Sequence, residues 1–153
     1  MEITIENINK YGFVFHEYNH EKILKDNDED SLDSLEEYIQ SLIKIPNENL
    51  YGDIDIVEPG GYIDLHYHIV PGSFQVVIWA PESDFEGRYY LYGTSEEVKQ
   101  IKPRKGLMCF MKPNDPHFIH GVSKLLSDTP IKSYGFSSSV FPLPEVNDIY
   151  INL

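Results

Sequence analysis

The chain has 153 residues, with 41% hydrophobic and 13% aromatic side chains, which fits one folded domain with a sizeable core. Its 12 Lys and Arg residues against 25 Asp and Glu residues give a formal net charge of -13 at pH 7. This charge repels nucleic-acid phosphates and anionic lipid, and the sequence contains neither a signal peptide nor a long apolar run. We therefore expect a soluble, cytoplasmic protein that binds neither nucleic acid nor membrane.

The first 50 residues predict two strands followed by a helix. Residues 2–8 and 12–18 are rich in β-branched and aromatic side chains, which favour strands. Apolar side chains then recur at helical spacing over residues 32–43, after an acidic stretch. Ser31 or Ser34 can cap this helix at its N-terminus.

Residues 51–141 predict a β-sandwich or barrel. Short apolar or alternating runs are separated by Pro-Gly, Glu-Gly, Lys-Gly and Asn-Asp-Pro turns at intervals of about 8–12 residues. Residues 94–99 could hold one helical turn, and residues 148–153 read as a final strand. We expect a single domain over residues 1–153, made of N-terminal strands and a helix (1–50), a β core (51–141) and a C-terminal tail strand (142–153).

The one cysteine, Cys109, excludes an internal disulfide. It lies within the apolar run 107–111, which is typical of a buried strand. We therefore interpret it as a small core residue and leave it out of the candidate site.

Two histidines lie two positions apart in a strand-like run. The alternation over residues 63–69 puts Asp64, His66 and His68 on one face of the strand and four apolar side chains on the other. The polar face either is solvated or lines a barrel mouth, with the apolar face packed under an outer layer such as the helix. In the second case, two imidazoles on one strand can converge on a divalent transition metal.

Further segments follow this pair in a definite order. His66-Tyr67-His68 is followed by an apolar run at 74–79, a glycine turn, His120-Gly121-Val122 and then Lys132. Over residues 59–137 this order resembles the iron(II)/2-oxoglutarate-dependent oxygenases, particularly the prolyl-4-hydroxylase-like members. The resemblance implies a mainly β fold, a double-stranded β-helix (a jelly-roll or cupin-like barrel) with one N-terminal helix packed outside.

The same resemblance implies the residues of the site. His66 and His120 match the family's metal-binding histidines, and Lys132 matches the basic residue that pairs with the far carboxylate of 2-oxoglutarate. His68 stands where the family has a carboxylate, so the expected metal site contains three histidines. The implied cofactors are iron(II), or another divalent transition metal, and 2-oxoglutarate. The implied reaction is hydroxylation of a small-molecule or peptidyl substrate.

Two other functions stay open. Gly60 with His66-x-His68 also resembles the start of the first cupin motif, and some cupins bind metal through three histidines without 2-oxoglutarate. The remainder of the cupin motifs, a glutamate and a Pro-x-Gly-x-x-His segment, is absent from the sequence. A metal-free β-barrel binding protein is the third hypothesis, because His68 replaces the carboxylate.

The other candidates for the pocket wall are Gln75, Trp79, Tyr90 and His117. His117 competes with His120 as third ligand, but a spacing of three puts them on opposite faces of an ideal strand, and we favour His120. We interpret Arg88 as a surface residue, although it could meet an anionic substrate. Scarce alanine beside abundant Ile, Asn, Asp and Tyr is typical of an AT-rich genome, such as that of a virus or a marine microbe. The oligomeric state is not predicted.

Overall fold

The computed structural model describes residues 1–80, 88–124, 128, 130–140 and 147–151. The glycine turn expected at 86–87, the first residues of the tail at 142–146 and the last two residues of the expected final strand lie outside the described residues. The helices and strands in the described ranges are α1 (Ile5–Tyr11), β1 (Phe13–Glu17), α2 (His20–Ile23), α3 (Asp28–Leu42), β2 (Asn49–Val57), β3 (Ile63–Ile69), β4 (Gln75–Trp79), β5 (Tyr90–Thr94), β6 (Val98–Ile101), β7 (Leu107–Met111), β8 (Phe118–Val122), β9 (Ile131–Ser139) and β10 (Asn147–Tyr150).

The described strands form two antiparallel sheets of five strands each. The first sheet has the order β1-β7-β4-β9-β2, and the second has the order β10-β3-β8-β5-β6. Neighbours within a sheet are mostly distant in the sequence, as in a jelly roll, where the chain passes repeatedly from one sheet to the other. The expected mainly β, double-stranded β-helix fold is confirmed.

Helix α3 packs against the outer face of the first sheet. Leu35 and Ile39 of the helix are fully buried against aromatic and aliphatic side chains of β4, β7 and β9. The helix, suggested as one possible outer layer over the apolar face of residues 63–69, does not cover that face, because β3 belongs to the second sheet. The helix leaves the space between the sheets free for a site.

Helix α3 also begins earlier than the sequence pattern predicts. Asn27, rather than Ser31 or Ser34, is its N-cap, and the Asn27 side chain accepts a hydrogen bond from the backbone N–H of Asp30 at 2.8 Å. The acidic residues that follow Asn27 lie in the first helical turn, where negative charge is favourable.

The strand expected at residues 2–8 is wrong, because residues 5–8 belong to helix α1 and residues 2–4 precede it without forming a strand. The Thr4 side chain caps the helix by accepting a hydrogen bond from the Asn7 N–H at 3.0 Å, and Gly12 ends the helix with φ of 79°. Glycine tolerates this left-handed conformation without a steric penalty. The strand expected at residues 12–18 is confirmed as β1.

The helical turn expected at residues 94–99 is also wrong. The segment is the tight connection between β5 and β6, in which the Thr94 N–H donates to the Glu97 carbonyl at 3.0 Å. No helix in the described part of the chain has both the length and the apolar character that crossing a membrane requires.

A second apolar cluster lies between the two sheets. It contains Trp79, Tyr90, Leu107, Cys109 and Met111. Cys109 is fully buried, as expected of a core residue, and its burial raises the pKa of the thiol. Trp79, Tyr90 and Met111 of this cluster also line a cavity between the sheets.

Candidate metal centre

Three histidines meet on the inner face of the second sheet. His66 and His68 project from β3, and His120 projects from the adjacent strand β8, directly opposite His66 in the strand register. The ring centroid of His66 lies 4.7 Å from that of His68 and 4.3 Å from that of His120. One ring nitrogen from each of the three residues lies within 4.8 Å of the others. The structure therefore brings together the three ligands that the sequence resemblance implies.

In two of these histidines, the ring nitrogen that faces away from the cluster, Nδ1, donates a hydrogen bond that sets the orientation of the imidazole. Nδ1 of His66 donates to the backbone carbonyl of Asp64 at 2.7 Å, and Nδ1 of His68 donates to Oε1 of Gln75 at 2.5 Å. Gln75 is itself held by Ser137, because its Nε2 donates to the Ser137 hydroxyl oxygen at 2.8 Å. Metal-binding histidines are oriented in this way by hydrogen bonds from the nitrogen that does not bind the metal.

The ring nitrogens that face the cluster, Nε2 of His66 and Nε2 of His68, then carry lone pairs directed at one another. Carbonyl oxygens can only accept, so in the neutral form of His66 and of His68 the proton lies on Nδ1, and Nε2 is unprotonated. Nε2 of His66 lies 2.8 Å from Nε2 of His68. Two lone pairs repel at this separation, and a cation bound to both removes the repulsion. The donor set therefore fits a divalent transition metal.

The surroundings of His120 and His68 favour the neutral form of these two imidazoles. Burial, and then the neighbouring rings of His68 and His66, hold the pKa of His120 well below its usual range. Burial and the proximity of His66 likewise lower the pKa of His68. Neutral imidazole is the form that binds a metal ion.

A carboxylate that sequence reasoning missed borders the cluster. Oδ1 of Asp148 lies 3.3 Å from Nε2 of His68, because β10 pairs with β3 and places Asp148 opposite His68. The Tyr150 ring from the same strand lies 5.3 Å from the His66 ring. An acidic side chain therefore lies next to the cluster, on a strand other than the two that carry the histidines.

The histidines line a cavity of about 840 Å³ between the two sheets. Its wall includes Gln75, Trp79 and Tyr90, as predicted from the sequence. Asp55 on β2 also lines it, and burial, followed by the charges of Asp53 and Asp148, raises the pKa of Asp55. A cavity of this size can enclose a small ligand.

His117 does not join the site. It is exposed in the turn before β8, its ring lies 4.9 Å from that of Phe118, and its backbone N–H donates to Asp115 at 2.9 Å. The expectation that His117 lines the pocket is not met, because the described residues around the cavity do not include it.

Lys132 is also placed away from the cavity. Its Nζ donates to the Asp28 carboxylate at 2.8 Å, at the N-terminus of α3 on the outer side of the first sheet. Side chains alternate along β9, so Ser133 and Gly135 face the cavity, whereas Lys132 and Tyr134 face the helix. The role of Lys132 in binding 2-oxoglutarate, as implied by the sequence resemblance, does not fit this position.

Arg88 was interpreted as a surface residue, and this is wrong. It retains 4% of its accessible surface and lines the cavity just before β5. Its burial is not indicated by the neighbouring residues, because a charged residue beside a glycine turn usually lies in solvent.

Comparisons with known proteins show that this chain is similar to solved structures in fold only. No protein-family model and no curated protein sequence matches the chain. Among solved structures, a Pseudomonas putida prolyl-4-hydroxylase is similar with a TM-score of 0.57 and 11% identity, over 86% of this chain and 89% of that one. The non-heme alpha-ketoglutarate-dependent carbocyclase SnoK from nogalamycin biosynthesis is similar with a TM-score of 0.61 and 12% identity, over 90% of this chain and 86% of that one.

A Burkholderia pseudomallei oxidoreductase of the 2OG-Fe(II) oxygenase family is also similar. The TM-score is 0.53 and the identity 14%, over 74% of this chain, which spans 57% of the length of that protein. The fold of this chain is therefore the fold of these oxygenases.

Proposed function

We propose that this protein is an iron(II)- and 2-oxoglutarate-dependent oxygenase whose metal is bound by His66, His68 and His120. The observation that carries the proposal is the 2.8 Å approach of two imidazole nitrogens whose protons are held on the opposite sides of their rings. The shared fold with a prolyl-4-hydroxylase and an alpha-ketoglutarate-dependent carbocyclase supports it. When bound, iron(II) supplies redox chemistry that couples the decarboxylation of 2-oxoglutarate to oxidation of a substrate.

The residues of the chain hold and enclose this centre. The Asp64 carbonyl fixes the tautomer of His66, and Gln75, held by Ser137, fixes that of His68, so that Nε2 of both rings faces the metal position. Trp79 and Tyr90 pack with ring centroids 5.3 Å apart on the cavity wall and exclude water from it. The cavity suits a small molecule or one side chain of a peptide as the substrate.

The third histidine changes the charge of the site. A facial triad of two histidines and one carboxylate carries one negative charge, whereas three neutral imidazoles carry none. Asp148, 3.3 Å from His68, restores one negative charge beside the metal position. This arrangement compensates for His68 and keeps the oxygenase proposal consistent with the donor set.

Metal binding is the first test. The purified protein is loaded with iron(II) under anaerobic conditions, and its iron content is measured after removal of free metal. We expect one iron per chain, and loss of that iron in His66→Ala, His68→Ala and His120→Ala. His117→Ala is the matched control and keeps its iron, because His117 is exposed and outside the cluster.

The second test adds 2-oxoglutarate to the iron-loaded protein without oxygen. We expect the weak visible charge-transfer band of an iron(II) chelate with a 2-oxo acid. Iron binding without this band overturns the oxygenase proposal and favours a three-histidine metalloenzyme that needs no 2-oxoglutarate. Absence of stoichiometric metal overturns both and favours a metal-free binding protein.

A further inference from the structure

Arg88 is a buried cation with unused hydrogen-bond donors. None of the residues that the structure describes accepts a hydrogen bond from its Nε or Nη1. The ion pairs found within the described ranges do not involve it either. Burial lowers the pKa of the guanidinium to about 10, which leaves it charged at neutral pH.

A buried guanidinium with unsatisfied donors is unfavourable in the free protein. Burial removes water from the guanidinium, and within the described ranges no protein group replaces the hydrogen bonds of Nε and Nη1, so the burial of these donors costs free energy. An anion that enters the cavity relieves this cost. The planar donors of arginine match the two oxygens of a carboxylate, which makes a carboxylate the best-fitting ligand.

The strand register gives the separation between Arg88 and His120 along the sheet. Arg88 lies two residues before Tyr90, and Tyr90 pairs with Val122, which lies two residues beyond His120 on β8. At about 3.3 Å per residue, four residues separate the levels of Arg88 and His120 by about 13 Å along the sheet. Both residues line the same cavity. An arginine side chain reaches across part of this separation, and a short dicarboxylate can span the remainder.

We propose that Arg88 is the anion-binding residue of the cavity and takes the far carboxylate of a 2-oxo dicarboxylate whose oxo-acid end lies at the three histidines. The inference rests on the proposed function for the metal end of the ligand. It moves to Arg88 the role that the sequence resemblance assigns to Lys132, whose ammonium is bonded to Asp28 on the outer side of the sheet.

The test compares two ligands that differ only in the far carboxylate. Calorimetric titrations of the iron(II)-loaded protein without oxygen use 2-oxoglutarate and 2-oxopentanoate, which has a methyl group in that place. We expect the wild type to bind 2-oxoglutarate about 10- to 100-fold more tightly, the factor that corresponds to a charge-assisted hydrogen bond. Arg88→Met abolishes this preference and leaves the affinity for 2-oxopentanoate unchanged.

Lys132→Met is the control, and it retains the preference for 2-oxoglutarate. A wild type without the preference, a preference that survives in Arg88→Met, or a preference lost in Lys132→Met alone overturns the proposal. Iron content is measured for every variant, so a failure of the metal site is distinguished from a failure at Arg88. Arg88→Gln replaces Arg88→Met if the methionine variant does not fold.

A metal-free measurement tests Arg88 even where iron does not bind. Glutarate has two carboxylates and no oxo group, so it engages the arginine without a need for chelation. We expect glutarate to raise the melting temperature of the wild type and not that of Arg88→Met. Equal shifts in the two proteins, or no shift in the wild type, overturn the proposal.

Discussion

Oδ1 of Asp148 lies 3.3 Å from Nε2 of His68, across the pairing of β10 with β3. The contact does not depend on a flexible loop, because the two residues are direct partners in the strand register. It places a negative charge beside a cluster of three imidazoles, in which burial lowers the pKa of His68 and of His120. A divalent cation at the imidazoles is stabilised by that charge.

Removing the charge of Asp148 is therefore expected to weaken metal binding. We predict that Asp148→Asn lowers the affinity for a divalent transition metal about tenfold, the usual lower bound for a group that supports a metal ligand. The measurement is competition with a chromophoric chelator at neutral pH. Asp33→Asn, on the exposed side of α3, removes the same charge far from the site and keeps the wild-type affinity. An equal loss in both variants contradicts a local role for Asp148.

The hydrogen bond from His68 to Gln75 is expected to support the same site. Gln75→Leu keeps a similar side-chain volume but removes the acceptor for Nδ1 of His68, so the imidazole is no longer fixed in the metal-binding tautomer. We predict a loss of about 10- to 100-fold in metal affinity. Gln75→Glu retains an acceptor oxygen and keeps tight binding. Unchanged affinity in Gln75→Leu shows that the orientation of His68 is set elsewhere.

Gly72 is expected to be intolerant of any side chain. A Cβ at this position would lie 1.6 Å from the backbone oxygen of Ser138 in β9. We predict that Gly72→Ala lowers the free energy of unfolding by about 3 kcal/mol or more, since the backbone must move to relieve the overlap. Denaturant titration followed by tryptophan fluorescence measures the change.

Gly60→Ala is the matched comparison for Gly72→Ala. Gly60 has φ of 80°, and a Cβ added there meets no atom within 4 Å. The expected cost is the left-handed conformation alone, about 1–2 kcal/mol. A loss in Gly60→Ala as large as that in Gly72→Ala contradicts the steric explanation.

The contact of Asp28 with Lys132 is expected to stabilise the packing of α3 on the first sheet, and this stabilisation should depend on pH. Hydrogen bonds from Lys132 and then from Tyr134 lower the pKa of Asp28. A carboxyl whose pKa is lowered by folding stabilises the protein above its unfolded pKa, and this stabilisation is lost as the pH falls through the folded value. Because Asp28 is partly exposed, Asp28→Asn is predicted to cost about 0.5–1 kcal/mol at pH 7.

The difference between wild type and Asp28→Asn should therefore narrow below about pH 4. Glu29→Gln controls for the loss of negative charge in the same helical turn, and it leaves the contacts of Lys132 intact. Metal affinity stays unchanged in both variants, because the pair lies on the outer side of the first sheet. A cost that persists unchanged at pH 3 contradicts the electrostatic origin of the effect.

Local patterns were sufficient to predict the sheets, the long helix and the histidine strand. Alternation over residues 63–69 and helical spacing over residues 32–43 are properties of adjacent residues, and burial of one face enforces them. Residues 2–8 were mispredicted because their β-branched side chains suggest a strand, whereas the Thr4 cap and Gly12 favour a short helix. Here the interactions at the two ends of the helix outweigh the strand propensity of the residues between them.

The remainder of the site depends on register and strand order, which local patterns do not contain. The position of Lys132 in the sequence agrees with the oxygenase pattern, but the face of β9 on which it lies follows from pairing with β4 and β2. Asp148 reaches His68 only because the last described strand adds to the edge of the second sheet. Arg88 is buried where it lines the cavity between the two sheets, and nothing in its neighbouring residues indicates this.

The pairing of β10 with β3 also bears on how the protein folds. It joins residues about 80 positions apart in the chain, farther apart than His66 and His120, so its formation closes a longer loop and costs more conformational entropy. We therefore expect the histidines to come together before Asp148 arrives beside them. Metal added during refolding should be captured first with low affinity and then held more tightly, on the timescale at which the final strand docks.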